Sequence, residues 1–284
     1  MEASSALRRD SQESSVVGEL NYLAEMDCKP RYYANDQTRN VLRLDPRSVS
    51  IFNGRMDGQR PSLEREGIQL VRWPTKVSDF RDADQVANIY PGEVAELIRS
   101  LTGGDEVLVM GPAGLRFGEK SPDSGRLMNS HPARFIHNDV STHSAPNVAA
   151  YPLGDELGPL DRYRRYAIFN VWRTFSGPPQ DIPLAVCDAT TVADADLVPA
   201  DAIFDAPGQP EVGFEGFLLR YNPKHKWVYF PDMTVDEAIV FKTFDSELGQ
   251  PRLCPHSAFD DPTCPAESGP RESAEMRIAV FFRA

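Results

Sequence analysis

The sequence predicts a mainly β protein with flanking helices, a double-stranded β-helix of the jelly-roll, cupin-like kind. Two observations carry this. First, about eight segments of strand character follow one another after residue 105, with no helix-sized segment alternating regularly with them. That pattern disfavours a parallel sheet of β-α-β units and favours antiparallel closure into a barrel or jelly roll. Second, His137-Asn138-Asp139 must meet the distant His256 if the three are to act together. A jelly roll sets its second and seventh strands side by side, which permits that meeting.

Residues 1–18 are rich in Ser, Glu and Arg without periodicity and read as a mobile polar tail. Between residues 20 and 75, short apolar runs such as Val41-Leu42-Arg43-Leu44, Val49-Ser50-Ile51-Phe52 and Ile68-Gln69-Leu70-Val71 alternate with Pro, Gly and Asn, as peripheral strands do. From 79 to 101, Val86, Ile89, Tyr90, Val94, Leu97, Ile98 and Leu101 recur at helical spacing. Pro91 is expected to divide this stretch into two helices, and Gly103-Gly104 to stop the second. The expected strands then follow at 107–110, 134–137, 166–175, 184–187, 214–221, 226–230, 238–244 and 273–282. The Asp-rich stretch 188–205 lacks the D-x-D-x-D-G spacing of a calcium loop and reads as a solvated connection. One domain over 19–284 is the simplest organisation, with 19–104 as an N-terminal extension carrying helices and 105–284 as the β-helix core.

The chain has 284 residues, 41% of them hydrophobic and 25% charged, enough to bury a full core. A net charge of −12 argues against nucleic acid and anionic membranes as partners, because phosphate binding needs clustered Lys and Arg. No apolar run is long enough for a membrane span, and residues 1–15 lack the apolar core of a signal peptide. The four cysteines show no metal-binding spacing and read as reduced thiols. A cytoplasmic protein acting on a small molecule is the expectation, and a homodimer is compatible with it.

In an extended strand, residues i and i+2 point the same way, so His137 and Asp139 can grip one ion together. His256 follows Cys254-Pro255 and precedes a short apolar stretch, as a ligand at a strand start would. Two imidazoles and one carboxylate leave half an octahedron open, the arrangement of non-haem Fe(II) oxygenases, whose open positions take a bidentate 2-oxo acid and O2. An H-x-D alone is weak evidence. The added weight comes from Arg271-Glu272-Ser273, since a guanidinium and a hydroxyl suit the far end of a dicarboxylate. In the run 271–280, alternation places Arg271, Ser273, Glu275 and Arg277 on one face, taken as the interior, and the apolar even positions on a helix-covered outside. Arg271 is the expected anchor and Arg277 the rival, with Glu275 neutralising Arg277. Asn170 and Arg173 are further candidates for contacts to co-substrate or substrate, and an ion pair of Arg173 with Asp188 is an equal reading. His131 and His143 sit in loops and read as structural or substrate-gating, His225 as a solvated turn residue, and Trp172, Trp227 and Tyr229 as core.

The chain resembles the hydroxylase/desaturase family of non-haem iron enzymes from natural-product clusters. The resemblance rests on Leu20-Asn21-Tyr22-Leu23, His137-Asn138-Asp139, Phe169-Asn170-Val171-Trp172-Arg173, Pro183-Leu184-Ala185-Val186-Cys187-Asp188, Trp227-Val228-Tyr229-Phe230-Pro231-Asp232-Met233, Phe241-Lys242-Thr243-Phe244-Asp245-Ser246, Pro255-His256-Ser257-Ala258-Phe259 and Pro270-Arg271-Glu272-Ser273. It implies a double-stranded β-helix holding Fe(II), with 2-oxoglutarate and O2 as co-substrates. Within it the ligands fall on His137, Asp139 and His256, and the 2-oxoglutarate anchor on Arg271 with Ser273. The implied activity is C–H oxidation by hydrogen abstraction, ending in hydroxylation, desaturation or oxidative cyclisation of a secondary metabolite or amino-acid-derived intermediate. Two alternatives stay open: an oxidase or synthase of the same fold that does not use 2-oxoglutarate, and an accessory subunit of a modifying enzyme.

Overall fold

The structure is a computed structural model that describes residues 14–283 apart from 57 and 59. Its strands form two facing sheets. The larger contains, in spatial order, β1 (Ser15–Leu23), β3 (Leu44–Asn53), β12 (Trp227–Tyr229), β9 (Leu184–Cys187), β14 (His256–Ala258), β7 (His137–Asn138), β11 (Val212–Leu219), β10 (Leu197–Phe204) and β2 (Arg31–Tyr33). The smaller contains β4 (Ile68–Arg72), β13 (Glu237–Asp245), β8 (Tyr163–Thr174), β15 (Glu272–Arg283) and β5 (Glu106–Val109), while β6 (Gly114–Phe117) pairs the first residues of β15. All pairings are antiparallel except β2 with β10 and β3 with β12. The sheets meet through Trp172, Ile239 and Phe241 on one side and Leu184, Val186 and Val228 on the other. A hydrogen bond from Asn138 Nδ2 to the Thr243 carbonyl, 2.9 Å, ties them again.

The outer face of the smaller sheet is covered by α1 (Ala83–Thr102), as the alternation in 271–280 required. Ala274, Met276, Ile278, Val280 and Phe282 of β15 pack with Val86, Tyr90, Val94, Leu97 and Ile98 of the helix. Asp82 caps α1 by accepting from the Asp84 and Gln85 amides, and Gly103 closes it in the left-handed region at φ 63°. The expected break at Pro91 does not occur, and α1 runs through it. A mid-helix proline costs about 3 kcal/mol in lost hydrogen bonding and ring clash. Burial of a large apolar side chain contributes about 1.5–3 kcal/mol, and five such residues of α1 are buried, so packing decides. Two short helices, α2 (Ala145–Ala150) and α3 (Gly154–Leu157), lie between β7 and β8.

Three other expectations are corrected. Strand β1 begins at Ser15, inside the segment read as a tail, because Val16, Leu20 and Tyr22 alternate inward while β1 pairs with β3 along its length; the expectation for 1–13 lies outside the described residues. The stretch 19–104 is no separable extension, since it supplies β1, β2 and β3 to one sheet and β4 to the other. The Asp-rich segment 188–205 contains β10, whose Ala200 and Ala202 turn inward while Asp201 turns out to Lys29.

Replacing Pro91 by Ala restores the missing amide donor without changing the buried face of α1. It should raise stability by up to about 3 kcal/mol in denaturant unfolding. A lower midpoint would mean that the proline ring contributes more by packing than its missing hydrogen bond costs.

Candidate metal centre

Strand β7 lies between β14 and β11, and its register sets His137 directly opposite His256. The two imidazole centroids are 4.4 Å apart, and with Asp139, just past the end of β7, the three offer ligand atoms that all lie within 4.8 Å of one another. Among the described residues this is the one group of three or more His, Cys, Asp or Glu side chains so placed. Each histidine is oriented by its own chain. His137 Nδ1 lies 3.1 Å from the Phe135 carbonyl and His256 Nδ1 3.2 Å from the Cys254 carbonyl. A carbonyl can only accept, so both Nδ1 atoms carry hydrogen and both Nε2 lone pairs are free for a metal.

Asp139 is held from the opposite sheet. Arg277 Nη2 donates to its Oδ1 at 2.7 Å, and Asn170 Nδ2 to its Oδ2 at 3.1 Å. Burial by itself would raise the Asp139 carboxyl, but Arg277 and the two imidazoles override it and hold the group well below the usual carboxylate range. Burial, reinforced by His256, pushes His137 down to about 4, so both residues are in the forms a cation requires near neutrality.

Gly216 on β11 makes the close packing of β7 possible. A Cβ there would stand 2.8 Å from the Asn138 carbonyl oxygen and 3.0 Å from that of Asp139, both main chain.

Arg271 lies just before β15, only 2% exposed, over the Trp172 ring at 5.6 Å. Its Nη1 donates to the Ile182 carbonyl, its Nε has no partner, and it forms no ion pair among the described residues. Burial, then Arg116, pushes this guanidinium down to about 10. Ser273 Oγ, on the same face, is buried and also without a partner. Arg277 differs from expectation: its nearest carboxylate is Asp139, while Glu275 stands 3.8 Å from it and pairs with Arg116 at 3.0 Å. Asn170 is at the centre, whereas Arg173 is not. The side chain of Arg173 turns to the helix face, bonded to the Tyr90 hydroxyl and the Val235 and Trp73 carbonyls, and it makes no pair with Asp188. On β8, period-two alternation sends 170 and 173 to opposite faces.

A cleft opens beside His137 and Asp139, walled by Tyr32, Phe135, Phe204 and Phe214, with Arg116 and Arg277 as its cations. His131 lines its outer part, 3.3 Å from Ser124 Oγ, and neither it nor His143 joins the three clustered residues. His225 is no solvated residue: its side chain is enclosed between Asp196 at 3.1 Å and the Tyr22 hydroxyl at 3.3 Å, away from the centre. Sequence reasoning missed Arg116, Tyr32 and Gly216. The alternation of Leu115, Arg116 and Phe117 marks Arg116 as facing away from its apolar neighbours, while nothing local marks the other two.

A mainly β double sheet with two imidazoles and a carboxylate converging between strands is the architecture of a non-haem iron oxygenase. Residues 20–281 match the family model described as oxidoreductase/YMDC permease-like domain. The chain is 30% identical to the hydroxylase/desaturase efuI of Hormonema carpetanum, over 95% of its own length and 96% of that protein's. It is 28% identical to the Fe(II)/2-oxoglutarate-dependent dioxygenase nvfI of Aspergillus novofumigatus, covering 86% and 87% of the two chains. A solved structure of the iron and alpha-ketoglutarate-dependent endoperoxidase NvfI superposes with a TM-score of 0.83 at 26% identity, over 96% of this chain and 99% of that one. The chain belongs to the hydroxylase/desaturase family of non-haem Fe(II)/2-oxoglutarate-dependent oxygenases.

Two outcomes test the geometry. Gly216→Ala must move the ligand strand or β11 by tenths of an ångström, and should weaken metal binding at least several-fold while the protein stays folded. In metal-free protein, the lowered His137 value means that the unfolded chain binds more protons than the folded one between pH 6.5 and about 4. Stability contributed by the neutral imidazole is therefore present above that window and lost as pH falls through it, on the order of 3 kcal/mol. Denaturant midpoints of chelator-treated protein at pH 7 and 4.5 should show the drop, and His137→Gln should flatten it.

Proposed function

We propose that this chain is an Fe(II)/2-oxoglutarate-dependent dioxygenase that oxidises a C–H bond of a small secondary metabolite or amino-acid-derived intermediate. His137, Asp139 and His256 would hold the iron, and Arg271 with Ser273 the far carboxylate of 2-oxoglutarate. The observation that carries this is the unpaired cation. A buried guanidinium without an anionic partner is costly, and a bound dicarboxylate end supplies what Arg271 Nε and Ser273 Oγ lack. The same observation favours use of 2-oxoglutarate over the synthase-type alternative.

The bound iron, with O2 and 2-oxoglutarate, supplies the oxidant that removes a substrate hydrogen. The protein supplies placement. The carbonyls of Phe135 and Cys254 present the two Nε2 atoms, and Asp139 remains an anion at neutral pH. The Trp172 ring lies 5.6 Å from the Arg271 guanidinium and helps to cover it from water. The aromatic walls of the cleft suit an apolar, ring-containing substrate lying against His137 and Asp139, with the Tyr32 hydroxyl available to orient an oxygen on it. Among the described residues no helix is long and apolar enough to cross a membrane, and all four cysteines are free thiols, which fits a reducing cytoplasm.

Anaerobic addition of 2-oxoglutarate to the Fe(II) protein should produce the weak visible charge-transfer band of a chelated 2-oxo acid, and aerobic turnover should release succinate. No band and no succinate would remove 2-oxoglutarate from the reaction. Arg271→Met should raise the apparent KM for 2-oxoglutarate at least tenfold with iron still bound. Because the variant loses an unpaired buried charge, the ligand-free protein should be no less stable than the parent.

A further inference from the structure

Two of the proposed iron ligands lie in the larger sheet and the third, Asp139, directly follows its strand β7, yet the groups that hold Asp139 come from the smaller sheet. Arg277 on β15 and Asn170 on β8 face each other directly in the β8–β15 ladder. One takes Oδ1 of the carboxylate and the other Oδ2, at 2.7 and 3.1 Å. Main-chain hydrogen bonds therefore set the spacing of the two donors before any metal binds. Arg277 is itself braced, since Glu275 lies 3.8 Å from it and is tied to Arg116 at 3.0 Å. The imidazoles need no such help, being fixed by carbonyls two residues upstream.

We propose that Arg277 and Asn170 are positioning residues: a clamp that fixes the orientation of the Asp139 carboxylate as a metal ligand, which takes Arg277 out of the competition for the co-substrate carboxylate. This rests on the iron reading given above. An aspartate side chain reaches a broad range of χ2 angles, so an unrestrained carboxylate spends much of its time turned away from a ligating pose. Holding both oxygens from a rigid ladder removes that freedom, and partners of metal ligands of this kind commonly change metal affinity by 10–100-fold when removed. Each clamp residue also keeps one buried polar atom without a partner, Arg277 Nε and Asn170 Oδ1. What separates Arg277 from Arg271 is its anionic partner: its charge is met by Asp139 at 2.7 Å, whereas Arg271 has no carboxylate within ion-pair distance among the described residues.

The competing account is a plain cross-sheet ion pair that stabilises the fold and leaves the metal indifferent. Cobalt(II) titration separates the two, because it needs no substrate and no turnover. Metal-free wild-type protein, Asn170→Ala, Arg277→Met, Arg277→Lys and His256→Ala would be titrated with CoCl2 and followed by visible d–d absorption and calorimetry, with folding checked by circular dichroism. The expected result is a 10–100-fold weaker Co(II) affinity and an altered d–d envelope in Asn170→Ala and Arg277→Met, with part of the loss recovered in Arg277→Lys. Asn170→Ala should leave the 2-oxoglutarate concentration that half-saturates the charge-transfer band of the iron-loaded protein within about twofold of wild type, while Arg271→Met should raise it. Wild-type affinity and spectrum in folded Asn170→Ala would overturn the clamp even if Arg277→Met failed to fold. If wild type bound no Co(II), or His256→Ala bound it equally well, the iron reading itself would fall and the clamp with it; loss in His256→Ala with no loss in the clamp variants would sink the clamp alone.

Discussion

The register of one short strand governs this molecule. β7 is two residues long, yet its place between β14 and β11 decides that His137 stands opposite His256 and that Asp139 emerges on the same side. A slip of one residue would turn His137 and Asp139 to the other face. So short a strand cannot fix its own register through its few hydrogen bonds. The fixing comes from its surroundings: the Asn138 amide group tied to Thr243 across the sheets, the glycine that lets β11 approach, and the arginine and asparagine gripping Asp139.

The electrostatics of the interior oppose those of the whole. The chain carries a net charge of −12, but three arginines, Arg116, Arg271 and Arg277, stand near the centre against two carboxylates, Asp139 and Glu275. Arg277 and Asp139 neutralise each other, and Arg116 and Glu275 do the same, which leaves Arg271 as the surplus cation. Its position at the start of β15, with Arg277 further along the same strand, gives that strand two tasks. One end faces the place where a dicarboxylate would end, and the middle grips the place where a metal would sit.

Much of this was legible in the sequence because period-two alternation is a local signal. The inward face of 271–277, the outward apolar set and the pairing of His137 with Asp139 all follow from counting by two, and Gly103 ended α1 as a left-handed cap should. Partners of long side chains were not legible. Counting by two along β8 separates Asn170 from Arg173, but which of the two faces meets the candidate metal centre depends on which sheet packs on which. Arg277 was assigned to its neighbour Glu275, whereas the nearer carboxylate arrives from a segment 138 residues away. The continuous α1 and the strand within 197–204 were missed for one reason: tertiary burial outweighed a proline in the first case and a run of acidic residues in the second.

The cleft walls come from different material than the centre. Tyr32 sits on a three-residue edge strand, Phe135 in the loop before β7, and Phe204 and Phe214 near the turn of the β10–β11 hairpin, whereas Asn170, Arg277 and Ser273 lie on the two longest, fully paired strands. Edge strands and hairpin ends accept substitution and changes of length at little cost to the core. The molecule is thereby divided into a conservative reaction chamber and a replaceable doorway. Selection for a new metabolite can rebuild the doorway through a handful of peripheral positions without disturbing the chemistry behind it.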